Sequence, residues 1–97
     1  MAPDEQSLAR GQQLYTQNCL VCHGVLGRGD GPAARALRPP PADLTQHVTA
    51  HTEGELWWWV TNGLAGTQMP AWKTALSDAE RWDAVNYLRN AFAPVTQ

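Results

Sequence analysis

The residues with the most specific chemistry in this chain are Cys19-Leu20-Val21-Cys22-His23. Two thiols separated by two residues, with an imidazole directly after the second, form the C-x-x-C-H pattern of covalent haem attachment. The thiols of Cys19 and Cys22 add across the vinyl groups of the ring as thioethers. His23, fixed beside the second anchor, then lies under the ring and supplies one axial nitrogen to the iron. A different order or gap would leave the imidazole unable to reach the metal.

An iron held by His23 has a sixth position to fill. Met69 is the leading candidate, because it sits in a glycine-bounded loop and is followed by Pro70, which restrains the backbone and can hold a thioether in place. Most methionines are core residues, but the only other one here is Met1. His47 and His51, four residues apart and on one face of any helix there, are the rival ligands. They read otherwise as surface residues or neighbours of the haem propionates. As a zinc chelate with Cys19 and Cys22 they fit poorly, since 24 residues separate Cys22 from His47 where about 12 to 15 are usual. Thioether sulfur favours ferrous iron and raises the reduction potential. With both axial positions filled, no substrate or oxygen can bind, and the iron suits one-electron transfer better than catalysis.

The elements that must position these groups read as helices. Residues 4 to 18 form the first, capped by Asp4 or Ser7, with Leu8, Gly11, Leu14 and Tyr15 on one stripe. It runs directly into Cys19. Residues 24 to 41 turn glycine- and proline-rich, an extended loop with one helical turn through 33–37. Residues 42 to 51 hold a short helix. Thr52-Glu53-Gly54-Glu55 fits a capping box and Asn62-Gly63 a C-terminal stop, which predicts a helix over 53–62. Trp57, Trp58 and Trp59 within it cannot share one face, since neighbours differ by about 100°. At least one must meet the cofactor, the surface or a partner. Residues 63 to 76 form the second loop. A last capping box at Ser77-Asp78-Ala79-Glu80 opens a helix that ends at 92, before Pro94, with Trp82, Val85, Leu88 and Phe92 on its apolar stripe and Tyr87 beside it. The expectation is an all-α single domain over 1–97, with three main helices (4–18, 53–62, 77–92) and two cofactor loops (19–52, 63–76).

Ninety-seven residues make a small core, which a covalently attached apolar cofactor would reinforce. Isoleucine is absent, and alanine and leucine are plentiful, which disfavours sheet. A formal charge of -2 gives no sign of nucleic-acid binding. The longest apolar run, Leu56 to Val60, is far short of the roughly 18 residues of a membrane span. The start lacks the basic and apolar regions of a signal peptide. Haem attachment of this kind is done outside the bacterial cytoplasm, so Met1 reads as a processing boundary.

Taken together, the chain resembles the class I mono-haem (His-Met) cytochromes c of bacterial respiration, over nearly its whole length. Gly11-x-x-x-Tyr15-x-x-x-Cys19-x-x-Cys22-His23 has that family's spacing of small residue, aromatic and haem motif. The resemblance implies a small cytochrome c fold in which Gly11 lets the first and last helices cross closely, near Trp82, Val85 and Tyr87. It implies one covalent haem c with His23 and Met69 as axial ligands, and a Pro32 carbonyl that accepts the His23 ring N–H. It also implies propionate contacts from Arg38 and one of Trp57, Trp58 and Trp59. Gly29-Asp-Gly-Pro-Ala-Ala and Pro39-Pro-Pro-Ala-Asp-Leu-Thr45 look like respiratory cytochromes, including domains tethered to oxidases, nitrite reductases or other membrane enzymes. The implied function is a periplasmic or periplasm-facing electron carrier, free or as the electron-entry domain of an oxidoreductase. A terminal oxidase or reductase would be among its redox partners, and a membrane tether in the native protein fits the same picture. Lys73 is the only lysine, so the lysine ring of mitochondrial cytochromes is absent. Arg28, Arg35 and Arg38 form a small basic run, and charges over 43–55 are all acidic.

Two other readings compete. A labile Met69 would open the iron for catalysis or gas sensing, which carbon monoxide binding by the unmodified ferrous protein would reveal. A haem-free thiol–disulfide protein would need a strand before the C-x-x-C, as in thioredoxin, where the pattern here gives a helix.

Overall fold

The structure, a computed structural model, describes residues 4–92; Met1 and Pro94 lie outside them. Five α-helices and one 3-10 turn make up the fold, with no strand among the described residues: α1 (Glu5–Asn18), α2 (Leu20–His23), the turn Ala34–Ala36, α3 (Leu44–Ala50), α4 (Glu53–Asn62) and α5 (Asp78–Phe92). The all-helical expectation holds, and the three main helices fall within a residue of the expected ends. The first loop carries more structure than expected, since α2 holds the second thiol and the imidazole.

Local chemistry accounts for the ends. Asp4, not Ser7, caps α1, accepting from the Ser7 N–H at 2.7 Å. Thr52 and Glu55 close a reciprocal capping box at the start of α4, and Ser77 and Glu80 do the same ahead of α5. Gly63 ends α4 at φ 77°, a conformation that favours glycine.

The most extensive helix contact is between α1 and α5, and it turns on Gly11. A Cβ at that position would lie 2.2 Å from the Asp83 carbonyl oxygen and 2.7 Å from the Tyr87 Cβ, so only glycine permits this approach. Tyr15 and Val85 are almost fully buried beside the crossing, and the Tyr15 ring packs on Tyr87 and Phe92 at 5.5 and 5.2 Å. The interface is not wholly apolar. Ser7 donates to Asp83 at 2.6 Å, Arg10 donates to the same carboxylate at 2.8 Å, and Asn86 donates to Ser7 at 3.0 Å. Burial pushes the Asp83 carboxyl up, but hydrogen bonds from Arg10 and Ser7 outweigh it and hold the group below its ordinary value. Asp83 and Asn86 lie beside the apolar stripe expected of α5 and are buried as polar residues.

Gly11→Ala should destabilise the protein by about 2–3 kcal/mol through overpacking against main chain. Gly54→Ala, whose nearest neighbour to a new Cβ is Thr52 Oγ1 at 3.9 Å, should stabilise by about 0.5–1 kcal/mol; denaturant unfolding of both variants checks the contrast. Asp83 has a lowered folded pKa, so its contribution is present above the unfolded value of about 3.9 and is lost as pH falls through the folded value. Asp83→Asn should therefore cost on the order of 1–2 kcal/mol at pH 7, with the gap to wild type narrowing below about pH 4. A gap that stays constant down to pH 3 would count against this origin.

Candidate functional site

Because α1 is fixed against α5, its C-terminus delivers Cys19 to the molecular interior. The Cys19 carbonyl accepts from the His23 N–H at 2.9 Å, which winds Leu20–His23 into the single turn of α2 with Cys19 at its N-terminal cap. Gly24, at φ 86°, then reverses the chain, and the Tyr15 hydroxyl donates to its carbonyl. The following loop folds back on α2: Gly31 N–H donates to Cys22 and Ala33 N–H to Val21, at 3.0 and 2.8 Å. A Cβ at Gly31 would lie 2.4 Å from the carbonyl oxygens of both Leu20 and Val21, so this return also requires glycine.

The second loop is anchored to the end of α4. Trp72 and Lys73 donate to the carbonyls of Val60 and Thr61 at 3.0 and 3.2 Å, and a Cβ at Gly63 would lie 2.9 Å from the Met69 carbonyl oxygen. Thr67 Oγ1 accepts from the Met69 N–H at 3.2 Å while donating to Leu64 at 2.7 Å. Met69 thus hangs on a loop with its own hydrogen-bond frame.

Between these two loops lie two adjoining cavities of about 320 Å³ each, each at the lower end of the roughly 300–1,000 Å³ typical of ligand and cofactor pockets. Cys19, His23, His47, Met69 and Trp72 line both, and Cys22 lines the second. Most of the remaining wall is apolar, including Leu14, Leu44, Leu56, Val60 and Leu88. The structure therefore brings together residues 46 positions apart in sequence, His23 and Met69, on the same cavity walls as Cys19.

The donors have the right electronic character. His23 Nδ1 lies 3.0 Å from the Ala42 carbonyl oxygen. A carbonyl only accepts, so Nδ1 carries the proton and the Nε2 lone pair is left for a metal. Burial lowers the His23 pKa, against the opposing pull of the Ala42 bond, which favours the neutral ligating form. Burial, helped by neighbouring Cys22, pushes the Cys19 thiol up to about 11. The cysteines form no disulfide. Two thiols, a neutral imidazole and a thioether around an apolar cavity fit a haem held by thioethers.

Several expected contacts differ. The carbonyl that meets His23 belongs to Ala42, not to Pro32. The backbone around Pro32 is committed to α2, while Pro39–Pro41 and Ala42 line the second cavity. Of the three tryptophans, only Trp59 lines a cavity; Trp57 stacks on Trp82 at 5.4 Å, and Trp58 is 57% exposed. Arg38 is exposed and donates to the carbonyls of Arg35 and Leu37, so it lines neither cavity. His47 and His51 both line the first cavity, their rings stacked at 5.6 Å, with His51 edge-on to Trp59 at 4.7 Å. Trp72, which lines both cavities, was not singled out by the sequence; its place two residues after Pro70 is the signal that could have found it.

Comparison with known proteins bears on the family and the fold. Residues 6–88 match the family described as cytochrome c oxidase, cbb3-type, subunit III. The chain is 34% identical over 90 residues to the cbb3-type cytochrome c oxidase subunit CcoP of Azospirillum sp. (strain B510), and 30% identical over 87 residues to that of Azospirillum brasilense. Those alignments cover 92% and 90% of this chain but only 30% and 29% of the relatives' length. Among solved structures, a chain of the Kuenenia stuttgartiensis reducing HAO-like protein complex Kustc0457/Kustc0458 superposes with a TM-score of 0.82 and 33% identity, over 94% of this chain and 46% of that one. The c-type cytochrome NirC superposes with a TM-score of 0.66 and 26% identity, over 95% of this chain and 100% of its own. With the family match spanning six-sevenths of its length, the chain belongs to the cbb3-type cytochrome c oxidase subunit III family, as a cytochrome c domain of the electron-transfer kind.

Proposed function

We propose that this chain is a single domain holding one covalent haem c, and that it passes single electrons between redox partners on the periplasmic side of a respiratory membrane. The observation that carries the reading is the meeting of His23 and Met69 on the walls of the same two cavities, beside Cys19 and Cys22. In this reading Cys19 and Cys22 would form the thioethers, and His23 and Met69 would ligate the iron. When bound, the haem supplies a one-electron ferric–ferrous couple. The chain's own work is to hold both ligands through the change of oxidation state. The Ala42 carbonyl fixes the His23 ring, the Leu64–Thr67–Met69 hydrogen bonds fix the loop that carries the thioether, and the apolar wall excludes water.

The curated relatives are named as subunits of a cbb3-type oxidase, which supports a terminal oxidase as one partner. This chain matches less than a third of their length, and no described helix is long and apolar enough to cross a membrane. We therefore assign it the electron-carrier step and not the oxygen chemistry, either as a free carrier or within a larger redox protein.

Met69→Ala should lower the reduction potential by on the order of 0.1 V or more, within the ~0.8 V span that axial ligands command. It should also abolish the far-red sulfur–iron band of the ferric form and let the ferrous form bind carbon monoxide. An unchanged potential without carbon monoxide binding would sink the Met69 assignment and turn attention to His47 and His51. After maturation, the denatured protein should keep its colour through acid–organic extraction and leave neither Cys19 nor Cys22 open to alkylation. Two free thiols in a correctly matured sample would overturn covalent attachment.

A further inference from the structure

Three of the six arginines are already committed: Arg10, Arg81 and Arg89 pair with Asp83, Asp78 and Glu53. Arg28, Arg35 and Arg38 are exposed and form no ion pair among the described residues. All three lie on the one loop between α2 and α3. Arg38 sits between Leu37 and Pro39, which line the second cavity, and its guanidinium bonds to the Arg35 and Leu37 carbonyls tie the two arginines together. Arg28 precedes Gly29, where a Cβ would lie 2.6 Å from the Pro41 carbonyl oxygen, so its loop packs on the same proline wall. The Ala33 N–H bond to Val21 brings the Arg35 turn against α2. There Val21, Val25 and Leu26 are 46%, 70% and 59% exposed. Exposed apolar side chains on and just after α2 thus adjoin the loop that carries the three arginines, next in sequence to Cys22 of the second cavity. Asp30, tucked over Gly24, is the one carboxylate within the loop itself, and Asp43 beyond it is held by Thr45.

We propose that this face docks a redox partner that presents an acidic surface, and that the arginine cluster, not the chain's net charge of -2, sets the encounter. Over a screening length of about 10 Å at 0.1 M salt, an incoming surface responds to the charges beside the cavity and little to those on the far side. Guanidinium groups suit carboxylates, and an apolar patch inside a polar rim is the usual anatomy of a docking surface. The inference rests on the haem reading above.

The test uses the reduced, haem-loaded protein in stopped flow, with hexacyanoferrate(III) as the anionic oxidant and tris(phenanthroline)cobalt(III) as the cationic one. The hexacyanoferrate rate should fall about threefold or more as ionic strength rises from about 10 to 200 mM, against the sign of the net charge, and the cobalt rate should not. Replacing Arg28→Gln, Arg35→Gln and Arg38→Gln together should flatten or invert that slope, while Lys73→Gln keeps it. At low salt, polyglutamate should shift amide resonances over 21–38 and not those over 53–62. A hexacyanoferrate rate that rises with salt, a triple variant with an unchanged slope, or shifts confined to 53–62 would overturn the proposal. So would a salt-sensitive dimer in sedimentation, which would give the face to a second copy of the chain. A sample with no absorbance change on oxidation has failed the haem reading first.

Discussion

At Gly11 the backbone of α1 comes so close to Asp83 that a single methyl group would collide with its carbonyl oxygen, and the rest of the molecule follows from that approach. It sets the spacing between α1 and α5, and therefore the point at which α1 ends and Cys19 enters the cavity. The polar cluster of Ser7, Arg10, Asp83 and Asn86 gives the crossing a single register. An apolar stripe alone could slide by a turn, whereas a buried carboxylate with three hydrogen bonds from Ser7 and Arg10 cannot do so without losing them.

The two cavity loops use a common device. Each leaves a helix through a glycine at positive φ, Gly24 after α2 and Gly63 after α4, and each is then tied by main-chain hydrogen bonds to the carbonyls of the helix it left. Neither His23 nor Met69 depends on a long side-chain network for its position. The imidazole needs one carbonyl, from Ala42, and the thioether needs a threonine turn at 67. The cavity between them is apolar, which disfavours charge on His23 and Cys19 in the haem-free chain.

Much of this was legible in the sequence because it was local. Capping boxes, the Gly63 stop and the 3.6-residue stripes predicted α1, α4 and α5 nearly to the residue, and Cys19, Cys22, His23 and Met69, singled out by C-x-x-C-H and Met-Pro, all line the two cavities. What was hidden depended on how loops fold back. The acceptor for His23 was set by which carbonyl the Pro39–Pro41 segment carries inward, a matter of tertiary path and not of spacing from the histidine. Likewise nothing in Trp57-Trp58-Trp59 says which ring faces the cavity until the α4 rotation is fixed, in part by the Trp57–Trp82 stack. The buried Asp83 was invisible for a third reason: its partners, Ser7 and Arg10, lie more than 70 residues away.

That last separation bears on the order in which the chain assembles. Ser7 meets Asp83 across 76 residues, so the best-packed pair of helices joins the first described element to the last. Such a closure is entropically demanding and slows folding relative to bundles built from neighbouring helices. A chain emerging from its N-terminus presents Cys19 and Cys22 long before α5 exists to complete the core around them. Cys19 and Cys22 therefore spend their early life in an open, unpacked segment, and the arrival of α5 closes that interval.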